Sequence, residues 1–245
     1  MGTSKSFSEV RKQMPNWPEL SSSVTRSCDG STLAPNKLAT IVSGYVGAIG
    51  GASIAGRGGS KVGGRSGIQT AKKLGSFLGT FQGSNYNIKE TLESLGLTDI
   101  DSKSVSDIIN HLIEYCSGPA STIDDKAAKE ASRLILEDLI SNATNIEEIE
   151  EMLKKTFETS SSEDLIIKYF GYYIYEHLSI WFYEHLIKSK NENNCEHLFR
   201  QIKEFIFERL KNLNRVNSLE KIAWGTDESD TLIKNIQVDV LTVFQ

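Results

Sequence analysis

Three groups of residues are spaced in ways that chemistry uses. Residues 59–66, GSKVGGRS, fit the phosphate-loop frame G-x-x-x-x-G-K-[ST], except that Arg65 stands where lysine belongs. That chemistry wants a compact ammonium reaching the terminal phosphates, and a planar guanidinium is not its equivalent. No β-strand is expected before the loop, and no later aspartate follows an apolar strand to hold magnesium, so nucleotide hydrolysis is not expected. A second group is the triplet Glu-His-Leu at Glu176-His177-Leu178, Glu184-His185-Leu186 and Glu196-His197-Leu198. Zinc proteases need histidines at i and i+4 around a glutamate, and di-iron bundles need Glu-x-x-His; neither spacing occurs. These histidines are expected on helix flanks with ordinary hydrogen bonds. No serine or cysteine sits in a nucleophile elbow. The expectation is therefore a protein that is not an enzyme, with no catalytic residue, no metal site and no cofactor.

The third group is the opening MGTSKSF. Glycine behind Met1 favours methionine removal, which exposes a glycyl α-amine with a reference pKa of about 7.7–8.0, partly neutral near pH 7. Without a side chain it is the least hindered nucleophile an N-terminus can offer. N-myristoylation would use it, since Gly2 and Ser6 fit M-G-x-x-x-[ST]. So would amide formation with an activated carboxylate supplied by a partner enzyme. Against both stands the ordinary frequency with which glycine follows Met1 in unmodified proteins.

The elements that must position these groups read as mostly helical. The chain has 245 residues, 39% of them hydrophobic, and a formal net charge of −5, which argues against nucleic-acid binding across the whole surface. The three cysteines, Cys28, Cys116 and Cys195, form neither a disulfide framework nor a zinc pattern, so a reducing, cytoplasmic location is expected. The first twenty residues lack the apolar core of a signal peptide. Residues 164–187 are rich in apolar side chains but carry Lys168, Glu176, His177, Glu184 and His185, too many ionisable groups for hydrocarbon. They predict a buried helix of a soluble domain, with no membrane partner.

Composition divides the chain into three zones. Residues 1–35 are polar and broken by Pro15, Pro18 and Pro35, and predict an extended, partly disordered arm. Its one apolar element, Met14-Pro15-Asn16-Trp17-Pro18, is either a short docking element or a tryptophan folded back on its own domain. Residues 36–86 form a basic glycine-rich segment leading into a helix. Residues 44–83 hold 13 of the 19 glycines, and no Asp or Glu occurs between Ser31 and Lys89. Its middle is expected to be mobile when free, because glycine loses the most entropy on ordering. Arg57, Lys61 and Arg65 recur at four-residue intervals and suit an acidic partner protein or nucleic-acid phosphates, though no aromatic lies between Gly50 and Ser76 to stack on bases. Residues 87–245 predict a helical domain whose starts are marked by Asn87 with Glu90, Ser104 with Asp107, Thr122 with Asp125 and Asn145 with Glu148. The closing IQVDVLTVF reads as a marginal strand or the end of a last helix. The fold class is mainly α.

The leader MGTSKS, the basic segment running into GIQTAKKLGSFLGTFQ, and the later GPASTIDDKAAKEA resemble the B component of the bacterial Qat antiphage defence system. The similarity runs in order from the leader to about Leu139, on motifs that are compositional rather than catalytic. The leader here is poor in Gly-Pro, a departure from that family's pattern. The resemblance implies a non-enzymatic member of a multi-protein operon that includes an ATPase, a QueC-like enzyme and a TatD-like nuclease. QueC-type chemistry adenylates the carboxylate of a 7-deazaguanine and lets a nitrogen nucleophile displace AMP. The implied role is substrate of that enzyme, with the Gly2 amine as the nitrogen. Thr3 and Ser4 would contact the partner's entry channel, Met14 and Trp17 would dock the arm, and Arg57, Lys61 and Arg65 would bind the partner. The ATPase and the nuclease are further candidate partners. The alternative from the residues alone is a nucleic-acid-binding adaptor using the basic segment, with Lys72 and Lys73 joining those three cations.

Overall fold

The structure is a computed structural model that describes residues 14–140, 142–211, 213 and 226–245. Among these residues there are eleven α-helices and no strand. They are α1 (Trp17–Ser27), α2 (Pro35–Ala48), α3 (Gly51–Ile54), α4 (Arg65–Gly83), α5 (Ile88–Ser94), α6 (Val105–Ser117), α7 (Ile123–Ile140), α8 (Ile146–Thr159), α9 (Ser162–Ile187), α10 (Glu192–Leu210) and α11 (Asp227–Thr242). Short 3-10 turns occupy Ala55–Arg57 and Ile100–Ser102.

Helix α9 is the axis of the fold. Tyr169, Phe170, Tyr173, Ile174, Leu178, Trp181 and Phe182 are all buried, so its apolar residues cover most of its circumference rather than one stripe. Such a helix must be surrounded, and α4, α7, α10 and α11 pack against it. Each large side chain taken out of water contributes roughly 1.5–3 kcal/mol before entropy is charged against it. Of the ionisable residues that spoil a membrane reading, Lys168 pairs with Asp138 of α7 and His185 is exposed. No single helix among the described residues is long and apolar enough to cross a membrane.

The start signals act as the sequence implies. Asn87 and Asn145 accept hydrogen bonds from the backbone of Glu90 and Glu148, at 3.0 and 2.9 Å. Ser104 and Asp107 form a reciprocal capping box. At α7, the Thr122 hydroxyl accepts from the Asp125 N–H and the Asp125 carboxylate accepts from the Thr122 N–H. A further box, Ser161 with Asp164, starts α9 itself; the same S-x-x-D spacing was there to be read. Residues 236–244 continue a helix as far as Thr242, because Ile233, Ile236, Val240 and Leu241 share one buried face, and packing overrides the β-branching.

Two expectations change in detail. Of the arm expected over residues 1–35, residues 1–13 lie outside the described residues, so Gly2, Thr3 and Ser4 do too. The rest is not extended: α1 forms because Leu20 and Val24, four apart, present one apolar face that is buried against the body. The glycine-rich middle, expected to be mobile, is a packed series of turns in which Ala55, Gly56, Gly63, Gly64 and Gly67 are buried. Glycine serves close approach there, and the buried contacts offset its entropy.

Candidate functional site

The glycine-rich turns lie across two consecutive turns of α9. A Cβ on Gly63 would come within 2.8 Å of the His177 ring, and one on Gly67 within 3.0 Å of the Tyr173 ring. Gly64 has φ +103° and ends the turns as the residue preceding α4. A Cβ there would stand 2.3 Å from the backbone oxygen of Ala55, so only glycine lets the two turns close on each other.

That closure assembles a buried polar cluster. Asp124, in the first turn of α7, accepts from the Gly64 N–H at 3.2 Å and the Ser66 N–H at 2.9 Å, and Tyr173 donates its phenol hydrogen to the same carboxylate. The Tyr173 oxygen also accepts from the Gly64 N–H, at 2.6 Å. The Ser66 hydroxyl donates to Asp125 at 2.7 Å. Burial works to raise the Asp125 carboxyl, but hydrogen bonds from Ser66, Thr122 and Ser121 outweigh it and hold the group below the usual carboxylate range. The Tyr45 hydroxyl lies 2.6 Å from Nδ1 of His177. Burial lowers the pKa of His177 against the opposing pull of the Asp124 charge and the Val62 carbonyl, so the ring is neutral near pH 7.

This geometry explains the phosphate-loop likeness. A helix N-terminus with free N–H groups attracts an anion. Here the protein supplies that anion itself, since the Asp124 carboxylate takes the N–H groups that a phosphate would use. The 59–66 stretch is a docking turn whose Gly64 and Ser66 N–H groups are taken by Asp124 and Tyr173. Of the three Glu-His-Leu triplets, only His177 enters the cluster; His185 is exposed near the end of α9, and His197 on α10 faces Arg200.

Outside the cluster the surface is basic. Lys61 and Arg65 are exposed and, with Lys126, line a cavity of about 760 Å³ between the turns and the start of α7. Arg57, also exposed, does not line the cavity itself but directly precedes Gly58, which does. None of these four cations forms an ion pair among the described residues. Arg65 is moreover the first residue of α4, at the positive end of the helix dipole, where a cation costs about 0.3–1 kcal/mol. The Asp124 carboxylate, which accepts from the Gly64 and Ser66 N–H groups, lies at the same helix end and offsets that cost.

The structure also places the base of the leader beside this cavity. Trp17 folds back on α9, stacking on Phe182 with ring centres 4.9 Å apart and an interplanar angle of 7°, and lying 5.5 Å from Trp181. Trp181 forms part of the cavity wall. Met14 is buried and Trp17 half-buried, so both hold the chain to its own body. Sequence spacing did not bring Trp17, Trp181, Lys61 and Arg65 together; only the antiparallel run of the turns along α9 does.

No curated protein and no solved structure matches the chain. A family model described as Qat anti-phage system associated protein QatB matches residues 56–244. The match starts inside the glycine-rich turns, takes in Asp124, Tyr173 and His177, and runs through the last helix, well over half of the chain. The chain therefore belongs to the QatB family and is a component of the Qat anti-phage system.

Proposed function

We propose that this component is the protein substrate of a QueC-like enzyme of the same system and is not itself a catalyst. In this reading the partner adenylates the carboxylate of a 7-deazaguanine. The Gly2 amine, freed by loss of Met1, attacks the acyl carbon, AMP leaves and the nitrogen gives up a proton. The product is an amide between the deazapurine and the N-terminus. Thr3 and Ser4 follow the amine into the partner, while Arg57, Lys61 and Arg65 hold the partner's surface.

One observation carries the reading: Trp17, at the base of the leader, abuts the wall of the exposed basic cavity. A partner seated on that cavity is within reach of the leader. Twelve residues, Gly2 to Gln13, precede Met14 once Met1 is lost, and at roughly 3.3 Å each they span up to about 40 Å when extended. The cations without ion pairs among the described residues suit a surface that an acidic partner completes.

Intact-mass and peptide analysis of the protein co-expressed with its QueC-like partner tests this. The expected N-terminal peptide begins at Gly2 and is heavier by the deazapurine acyl group. One extra residue ahead of Gly2 should abolish the addition without changing the circular dichroism. An unmodified N-terminus in the presence of active partner overturns the proposal. Steeply salt-dependent binding of DNA or RNA, lost on replacing Arg57 and Arg65, would instead favour the adaptor reading.

A further inference from the structure

Beneath the loop that joins α1 to α2 lie two sulfur atoms. Cys28 caps the C-terminal end of α1 and Cys195 sits in the first turn of α10; their Sγ atoms are 3.0 Å apart. Both side chains are buried and both are free thiols. The residues are 167 positions apart in sequence, so the contact joins two distant segments. Cys116, the third thiol, is buried on α6 and has no such partner among the described residues.

We propose that Cys28 and Cys195 form a reversible disulfide that ties the helix at the base of the leader to α10. A bond of about 2.05 Å needs the two sulfurs to close by only about 1 Å. The surroundings already hold them in place. Gln201, further along α10, accepts from the Leu33 N–H at 2.7 Å and donates to the Ser31 carbonyl at 3.1 Å. The loop is thus clipped to α10 on one side of the thiols, and Trp17 fastens the other end of α1 to α9. Residues 29–32 are exposed, so a local opening of this short loop admits a small oxidant.

The chemistry balances with a peroxide. One thiolate attacks a peroxide oxygen, giving a sulfenic acid as the O–O bond breaks. The second sulfur then attacks the sulfenic sulfur, and water leaves. Two thiols and one hydrogen peroxide yield one disulfide and two waters. Burial, followed by the hydrogen bond with Cys195, pushes the Cys28 thiol up to about 12, which keeps it a poor nucleophile until the loop opens. Such a bond changes how firmly α1 is held. It is independent of any modification at Gly2.

Treating the folded full-length protein with hydrogen peroxide, quenching, and counting thiols after denaturation tests the proposal. The count should fall from three to one. Peptide mapping without reductant should show residues 28 and 195 linked, with the mass of two hydrogens lost, and dithiothreitol should restore all three thiols. The oxidised form should have a higher Tm and slower hydrogen exchange across α1. Three thiols remaining, a link through Cys116, or oxidation of Cys28 beyond the disulfide would each overturn it. Cys195→Ser should abolish the link; the map of the unaltered protein decides the matter even if that variant folds poorly.

Discussion

The glycine-rich turns and helix α1 both rest on α9, one about two turns of helix further along than the other, yet they are held by different physics. The turns are fixed by directional bonds from backbone N–H groups to half-buried Asp124 and buried Tyr173, and by approaches too close for any Cβ. Helix α1 is fixed by Leu20, Val24 and one stacked tryptophan. Directional bonds between buried groups must all form together, whereas apolar contacts yield a little at a time. The contrast separates a part whose contacts form or fail together from one that loosens by degrees.

The largest expected effect breaks the rigid side. Gly64→Ala adds a methyl group against the Ala55 carbonyl at a backbone angle that disfavours alanine. It should destabilise the protein by about 3 kcal/mol or more. Urea unfolding measures this, and a loss below about 1 kcal/mol would mean the turns are softer than their contacts imply. Next comes Asp124→Ala. It leaves the Ser66 N–H and the Tyr173 phenol without their acceptor, while the Gly64 N–H keeps the Tyr173 oxygen, and should cost about 2–3 kcal/mol. Because the emptied position is an anion site at a helix N-terminus, sulfate should recover part of the loss in the variant and none in the parent.

Trp17→Ala tests the yielding side. Loss of the stack on Phe182 should cost about 2 kcal/mol. The distinguishing readout is hydrogen exchange: protection should fall across α1 while the amides of Gly64 and Ser66 keep theirs. Equal loss in both regions would erase the contrast. Glu176 sharpens it at the shared helix. Burial, then the neighbouring charge of Glu130, raises its carboxyl to about 7, against the opposing pull of Lys203 and Arg133. The folded pKa exceeds the unfolded one, so the folded state binds the proton more tightly and loses stability as pH rises from about 4.5 to 7. Glu176→Gln should therefore stabilise the protein at pH 8 by about 1–2 kcal/mol and change little at pH 5. A gain of equal size at both pH values would point to packing instead.

The helical class, the caps at Asn87, Ser104, Thr122 and Asn145, and the buried character of residues 164–187 were legible in the sequence because each rests on local spacing. Arg57, Lys61 and Arg65 stood out by type, and the structure places Lys61 and Arg65 on one cavity, with Arg57 next in sequence to its lining residue Gly58. The role of the glycines was not legible. The same composition fits a mobile loop or a tightly docked one, and the choice depends on Tyr173 and His177, more than a hundred residues away. Asp124 was equally hidden: its spacing reads as an ordinary first-turn acid, and only the meeting of two helix N-termini makes it the internal anion. Trp17 left two readings open. The ring lies on Phe182, which no local pattern could have revealed.

The smallest stability effect is expected where the functional effect should be large. Arg57, Lys61 and Arg65 are exposed and without ion pairs among the described residues. Exposed charges contribute little to folding, so replacing all three with alanine should shift stability by no more than about 0.5 kcal/mol. Calorimetry with the QueC-like partner should show affinity falling at least tenfold and its salt dependence flattening, because the lost groups act through long-range charge. Trp17→Ala should weaken the same binding far less while loosening α1. If the triple variant instead unfolds readily, the cations belong to the rigid turns; if it binds normally, the partner reads another face and the cavity is only the gap left where two helix starts meet.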